Sequence, residues 1–173
     1  MGDQMNEMMP HYNQRNHPWA DIPYHGHTVR TDGCGPVAFA MAASYLLGRE
    51  VEPSEIVKWT GRSFAGFAGR GTRGVFFVRA AEAYGLACTR TNNTDEAVEA
   101  VKSGFPVIYY TEKSQGVFSL VPHYLVLSGM TDEGEMYIHN PNGMHDGESF
   151  SPEIIDRYRV RSIRQKSFYI LKK

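Results

Sequence analysis

Asp32-Gly33-Cys34-Gly35-Pro36 runs directly into Val37-Ala38-Phe39-Ala40-Met41-Ala42-Ala43-Ser44-Tyr45-Leu46-Leu47. The apolar run, followed by Gly48 as a stop signal, predicts a buried helix over 35–47 with Cys34 at its start. Pro36 suits the first turn, where its missing N–H leaves no helical bond unmade. A helix start presents unpaired N–H groups and about half a positive charge, which biases a thiol there towards the nucleophilic thiolate. The glycines on either side suit a sharp turn and leave room for a substrate carbonyl. Cys34 therefore reads as a catalytic nucleophile. Such a residue needs a base, a group that orients the base, and an oxyanion hole.

The 173 residues, 42% apolar and 12% aromatic, predict a single globular domain over 1–173, with residues 1–11 as a loose N-terminal arm. A net charge of −1 with scattered bases leaves no electrostatic footprint for nucleic acid. The basic run Arg157-Tyr158-Arg159-Val160-Arg161 reads as a solvated face. No apolar run approaches the roughly 18–20 residues of a membrane span. The first ten residues hold no signal-peptide core, so the chain is expected to be cytosolic, or an exported form lacking its signal. Two cysteines make neither a disulfide scaffold nor a cysteine zinc site, and Cys88 reads as a small buried apolar residue. No cofactor is expected.

Along the chain, the stretch from His11 to Asp32 reads as irregular. After the first helix, a short one is expected from Glu52-Pro53-Ser54-Glu55 through Trp59, capped by Ser54 or its neighbour. The glycine-rich stretch Gly61 to Gly74 lacks the Lys-Ser/Thr of a phosphate loop and reads as lining a substrate groove, with Thr111–Leu120 as the other edge. A helix over Val75–Tyr84, a strand over Leu86–Thr91 and a helix opening at Thr94 and closed by Gly104 follow. The pattern then changes to strands at Pro106–Tyr110, Tyr124–Ser128, Met136–His139 and Phe168–Leu171, with Asp132-Glu133-Gly134 as a hairpin turn. Helices first and strands afterwards predict an α+β fold.

The base candidate is His123, at the mouth of the apolar strand Tyr124-Leu125-Val126-Leu127. A hairpin turning at Asp132–Gly134 brings the start of one strand beside the end of the next, which makes Asn140 its neighbour. The amide oxygen of Asn140 would accept the ring N–H and hold the imidazole, as the third member of a triad does. Asn140-Pro141-Asn142-Gly143 also reads as a turn, and a turn can place that side chain. The backbone N–H of Cys34 is one oxyanion donor, and Gln14 is the side-chain candidate for the other. His11, His17, His25 and His27 read as solvated surface. A metal hydrolase built on His25 with His27, or His139 with His145, is a weaker alternative, because no HExxH or comparable ligand spacing exists.

Together, Gln14, Gly33-Cys34-Gly35-Pro36, Pro122-His123-Tyr124-Leu125-Val126-Leu127-Ser128-Gly129 and Asn140-Pro141 resemble a papain-like cysteine peptidase. The branch they resemble is that of the bacteriocin leader-processing, C-thirty-nine-like peptidases. The resemblance implies a helical lobe with the nucleophile at a helix start and a C-terminal antiparallel sheet carrying His and Asn. It implies Cys34 as nucleophile, His123 as base and acid, Asn140 as orienter, Gln14 as oxyanion donor, and a peptide or protein substrate. Two positions depart from the family pattern: Pro122 stands where glycine is usual before the histidine, and Asn140 where aspartate is usual before the proline. A transpeptidase, amidase or isopeptidase on the same triad, or a degenerate peptide-binding module, are the alternatives.

Overall fold

Helix α3 (Cys34–Leu47) is apolar on every side, and each residue from Gly35 to Ser44 is buried, so the rest of the chain must wrap it. The computed structural model describes residues 2–61 and 72–173, with side chains from residue 4 onward. In chain order, α1 (Gly2–Met8), the two-residue strands β1 (Pro23–Tyr24) and β2 (His27–Thr28), and the single turn α2 (Val29–Asp32) precede α3. After it come α4 (Pro53–Thr60), α5 (Val75–Ala83), β3 (Ala87–Thr91), α6 (Thr94–Lys102), β4 (Val107–Thr111) and β5 (His123–Met130). The chain ends with β6 (Met136–His139), β7 (Ser149–Phe150), α7 (Pro152–Tyr158) and β8 (Phe168–Lys172). The α+β arrangement is the expected one.

The six-stranded sheet has the order β3-β8-β4-β5-β6-β7, every pair antiparallel. Its central strands β4 and β5 are buried almost throughout, as strands covered on both faces are. Successive side chains serve opposite faces. Tyr110 stacks on its partner Tyr124 at 4.3 Å, with Phe77 of α5 against Tyr124. Tyr109, one residue away, stacks instead on Phe168 and donates its hydroxyl to the Ile155 carbonyl of α7 at 2.7 Å. The β5–β6 turn is the one expected: Thr131 N donates to Glu135 O at 2.8 Å, and Gly134 takes φ +87°, a backbone that favours glycine.

Three local expectations are revised. Where a loose arm was expected, α1 packs on the sheet with Met5 and Met9 buried, and Asn6 Oδ1 accepts from Ser128 Oγ at 3.0 Å. Propensity within a few polar residues does not reveal a helix whose two methionines find a hydrophobic site far away in sequence. The α4 cap is Glu52, with Pro53 at the first helical position rather than Ser54 at the boundary. The α6 helix opens at Thr94 as expected, and Asn93 caps it, its side chain accepting from Glu96 N at 3.2 Å. The α7 helix was not expected, although Ser151-Pro152-Glu153 is a helix-start signal: Ser151 Oγ accepts from Ile154 N at 3.3 Å. The stretch predicted as a groove-lining loop, Gly61 to Gly74, lies outside the described residues over 62–71.

Candidate active site

Gly33 ends α2 and begins α3, so one residue separates the two helices and Cys34 stands at the start of the longer one. The backbone of Gly33 is unstrained (φ −90°), and glycine is required there for another reason. A Cβ at Gly33 would sit 2.6 Å from the Val29 carbonyl oxygen, and one at Gly35 would sit 2.5–2.7 Å from the Thr72 side chain. Close packing, rather than a left-handed turn, selects both glycines. Burial pushes the Cys34 thiol up to about 11, against the backbone amides of Tyr124 and Gly35, which favour the thiolate. The helix start alone suggested a lowered value. Desolvation outweighs it.

His123 opens β5 and is buried, paired in register with Thr111 of β4. The Val126–His139 register of β5 and β6, continued by one residue, sets Asn140 opposite Leu125. Asn140 and His123 are therefore diagonal neighbours on one face, within side-chain reach. His123 Nε2 lies 2.7 Å from Asn140 Oδ1. An amide oxygen only accepts, so Nε2 carries the proton and Nδ1 keeps its lone pair. The amide orientation is set independently, because Asn140 Nδ2 donates to Phe118 O at 3.0 Å and to Met144 O at 2.9 Å. Burial pulls the His123 imidazole down to about 4, with the Asn140 contact opposing. Burial thus disfavours the charged form of both ring and thiol.

Gln14, Cys34 and His123 line one cleft of about 330 Å³, together with Arg15, Ser119–Pro122, Asn142 and Met144. Asn140 stands behind His123, away from the cleft lining. Gln14 is buried, and its Nε2 donates one proton to Arg30 O at 2.8 Å, leaving its second N–H uncommitted among the described residues. Ser119 and Leu120 bring the end of the expected second groove edge to this cleft. Leu120, Val121 and the Pro122 that departs from the family pattern form an exposed lip.

Sequence reasoning missed two contributors to the site. Asn142 supports the same carbonyl as Asn140, its Nδ2 donating to Phe118 O at 3.0 Å. Asp146 accepts from the Asn140 backbone N–H at 2.8 Å and from His11 at 2.8 Å. His11 and Asp146 are 135 residues apart, and no local pattern links them. His139 bonds Ser128 Oγ at 2.7 Å and Met9 O at 3.1 Å, while His145 faces Glu148 at 2.8 Å, so this pair does not converge. Both cysteines are free, and burial pushes Cys88 up to about 12. No helix among the described residues is long and apolar enough to cross a membrane.

Comparison with known proteins gives the family and the fold. A family model, that of the Peptidase_C39 like family, matches residues 7–160. A Bacillus anthracis protein assigned as a C39-like peptidase is similar in structure, with a TM-score of 0.64 and 17% identity over 95% of each chain. The peptidase domain of Streptococcus ComA, a bi-functional ABC transporter involved in quorum sensing, gives a TM-score of 0.57 at 17% identity, over 82% of this chain and 90% of that one. A double glycine motif protease from an AMS/PCAT transporter, solved in complex with the leader peptide, gives 0.50 at 22% identity, over 80% and 81%. No curated protein matches the chain. The fold and family make this protein a cysteine peptidase of the papain-like α+β kind. More narrowly, the chain belongs to the Peptidase_C39 like family.

Proposed function

We propose that the protein hydrolyses an amide bond in a peptide or an extended protein segment, using Cys34, His123, Asn140 and Gln14. The observation that carries the proposal is the 2.7 Å contact between His123 Nε2 and Asn140 Oδ1, which leaves Nδ1 as the basic nitrogen in a cleft shared with Cys34 and Gln14. The Cys34 thiol gives its proton to Nδ1 as the sulfur attacks the substrate carbonyl carbon. The backbone N–H of Cys34 and the second Nε2–H of Gln14 hold the resulting oxyanion. The tetrahedral species then collapses: the C–N bond breaks, the imidazolium protonates the leaving amine, and a thioester remains on Cys34. Water gives a proton to Nδ1, attacks the thioester, and releases the acid and the thiol.

Burial disfavours charge on both Cys34 and His123, so the proton moves within the pair as attack proceeds, when the developing negative charge shifts onto the held oxyanion. A peptide is the substrate class favoured by the leader-peptide complex of the double glycine motif protease and by an open cleft with an apolar lip. The test is hydrolysis of a fluorogenic peptide library by the full chain and by Cys34→Ala. Cleavage by the wild type alone, with release of a free carboxylate, supports the proposal. Equal rates for the two proteins, or products only when an amine acceptor is added, would refute it.

A further inference from the structure

Asn140 lies in a stretch rich in turns, where Gly143, His145 and Gly147 all take positive φ. The stretch bonds within itself, with Gly143 N donating to Asn140 O at 2.9 Å and Met144 N to Asn142 Oδ1 at 2.8 Å, and it is also anchored from outside. The anchor is the segment 9–15. Met9 O receives His139 Nε2–H at 3.1 Å, Gln14 N donates to Pro141 O at 2.8 Å, and Arg15 Nη1 donates to Asn142 O at 3.1 Å. Asp146 completes the set with both carboxylate oxygens: Oδ1 takes the Asn140 backbone N–H at 2.8 Å, and Oδ2 takes His11 Nδ1–H at 2.8 Å. The His11 ring lies flat on buried His139, with centroids 3.7 Å apart and planes 14° apart. Partial burial works to raise the Asp146 carboxyl, but His11 and the Asn140 N–H hold it below the usual carboxylate range.

These contacts share one result: the segment carrying Gln14 and the turn carrying Asn140 are tied together. We propose that Asp146 is a positioning residue for the reaction, holding the Asn140 backbone and clamping it through His11 to the segment that carries Gln14. Oxyanion donor and imidazole acceptor are thereby set as one unit. The inference rests on the triad reading above. It assigns a working role to a carboxylate that touches neither the substrate nor the His123 imidazole, in a chain whose orienter is itself uncharged.

The test reads Cys34 directly and needs no substrate. Iodoacetamide labelling of the full chain at pH 7 is followed site by site, with Cys88 as an internal monitor of the fold. In the triad reading labelling of Cys34 draws on His123 as base, and His123→Ala is expected to slow it by about a hundredfold. Asp146→Ala is expected to slow it by about tenfold with Cys88 unchanged, by analogy with outer partners that orient metal-bound imidazoles. Asp146→Asn retains an acceptor for the Asn140 N–H and is expected within about threefold of the wild type. Should Asp146→Ala not fold, His11→Ala decides, with an expected loss of about threefold at Cys34 alone. Wild-type labelling in Asp146→Ala, or in His11→Ala where that variant decides, overturns the positioning role while leaving the triad intact. So does an Asn variant as slow as the Ala variant. Wild-type labelling no faster than that of His123→Ala removes the triad reading and this proposal with it.

Discussion

Replacing Asn140 by aspartate would restore the residue more usual in this family, yet the structure predicts that it destabilises this chain. The Asn140 amide uses both ends: Oδ1 faces His123 at 2.7 Å, and Nδ2 donates to Phe118 O and Met144 O at 3.0 and 2.9 Å. A carboxylate keeps the first contact and loses the other two. The Phe118 carbonyl retains Asn142 Nδ2 at 3.0 Å, so there the loss is that of one hydrogen bond, about 1 kcal/mol. The Met144 carbonyl loses the Asn140 donor, a loss of about 1–2 kcal/mol. A carboxylate oxygen facing two carbonyl oxygens adds repulsion, which attraction to a protonated His123 offsets in part. The net expectation for Asn140→Asp is a loss of roughly 2–4 kcal/mol at pH 7. Urea unfolding of both proteins at pH 7 measures it, and the pH–rate profile reports whether the new charge raises the His123 pKa. An Asn140→Asp protein as stable as the wild type would refute the claim that the Nδ2 donations select asparagine here.

Acid should destabilise the fold through two histidines. Burial holds His123 and His139 at about 4 each, below the ordinary value of about 6.5, so the unfolded chain takes up protons that the folded one refuses as pH falls. Stability is therefore full above about pH 7 and is lost towards pH 4, by roughly 2 kcal/mol per histidine at pH 5. His139→Gln should remove about half of that slope in unfolding measured between pH 7.5 and 5, and an unchanged slope would contradict the assignment. For Gly35→Ala, the new Cβ meets a Thr72 side chain whose hydroxyl bonds Tyr24 at 2.6 Å, so overpacking should cost about 1–3 kcal/mol. A melting temperature within a degree of wild type would count against it. Gln14→Ala should lower kcat by about a hundredfold with little change in KM, as removal of an oxyanion donor does. A loss below threefold would take Gln14 out of that role.

Much of the fold was legible because its signals are local. Glycine and proline punctuate the chain: Gly33 and Gly48 flank α3, Pro36 lies in its first turn, Gly104 follows the end of α6, and Gly134 lies in the turn between β5 and β6. The period change after Gly104 marked the sheet strands, and the hairpin turn implied the proximity of His123 and Asn140 that is observed. What stayed hidden was non-local. No pattern within residues 1–11 tells that Met5 and Met9 will find a buried site against the sheet, or that β8 will insert between β3 and β4.

The sequence by itself determined where a cysteine meets a helix start, which histidine opens a core strand, and which turn follows the next strand. These follow from backbone sterics, capping and periodicity over a few residues. Only the tertiary structure decided the chemistry of those groups. Desolvation depends on everything packed around an atom, and it pushes the Cys34 thiol up and the His123 imidazole down although the helix start alone favours a thiolate. Hydrogen-bond partners likewise come from distant segments: Phe118 and Met144 make an amide the fitting side chain at position 140, and Asp146 with His11 joins the two ends of the site across 135 residues of chain.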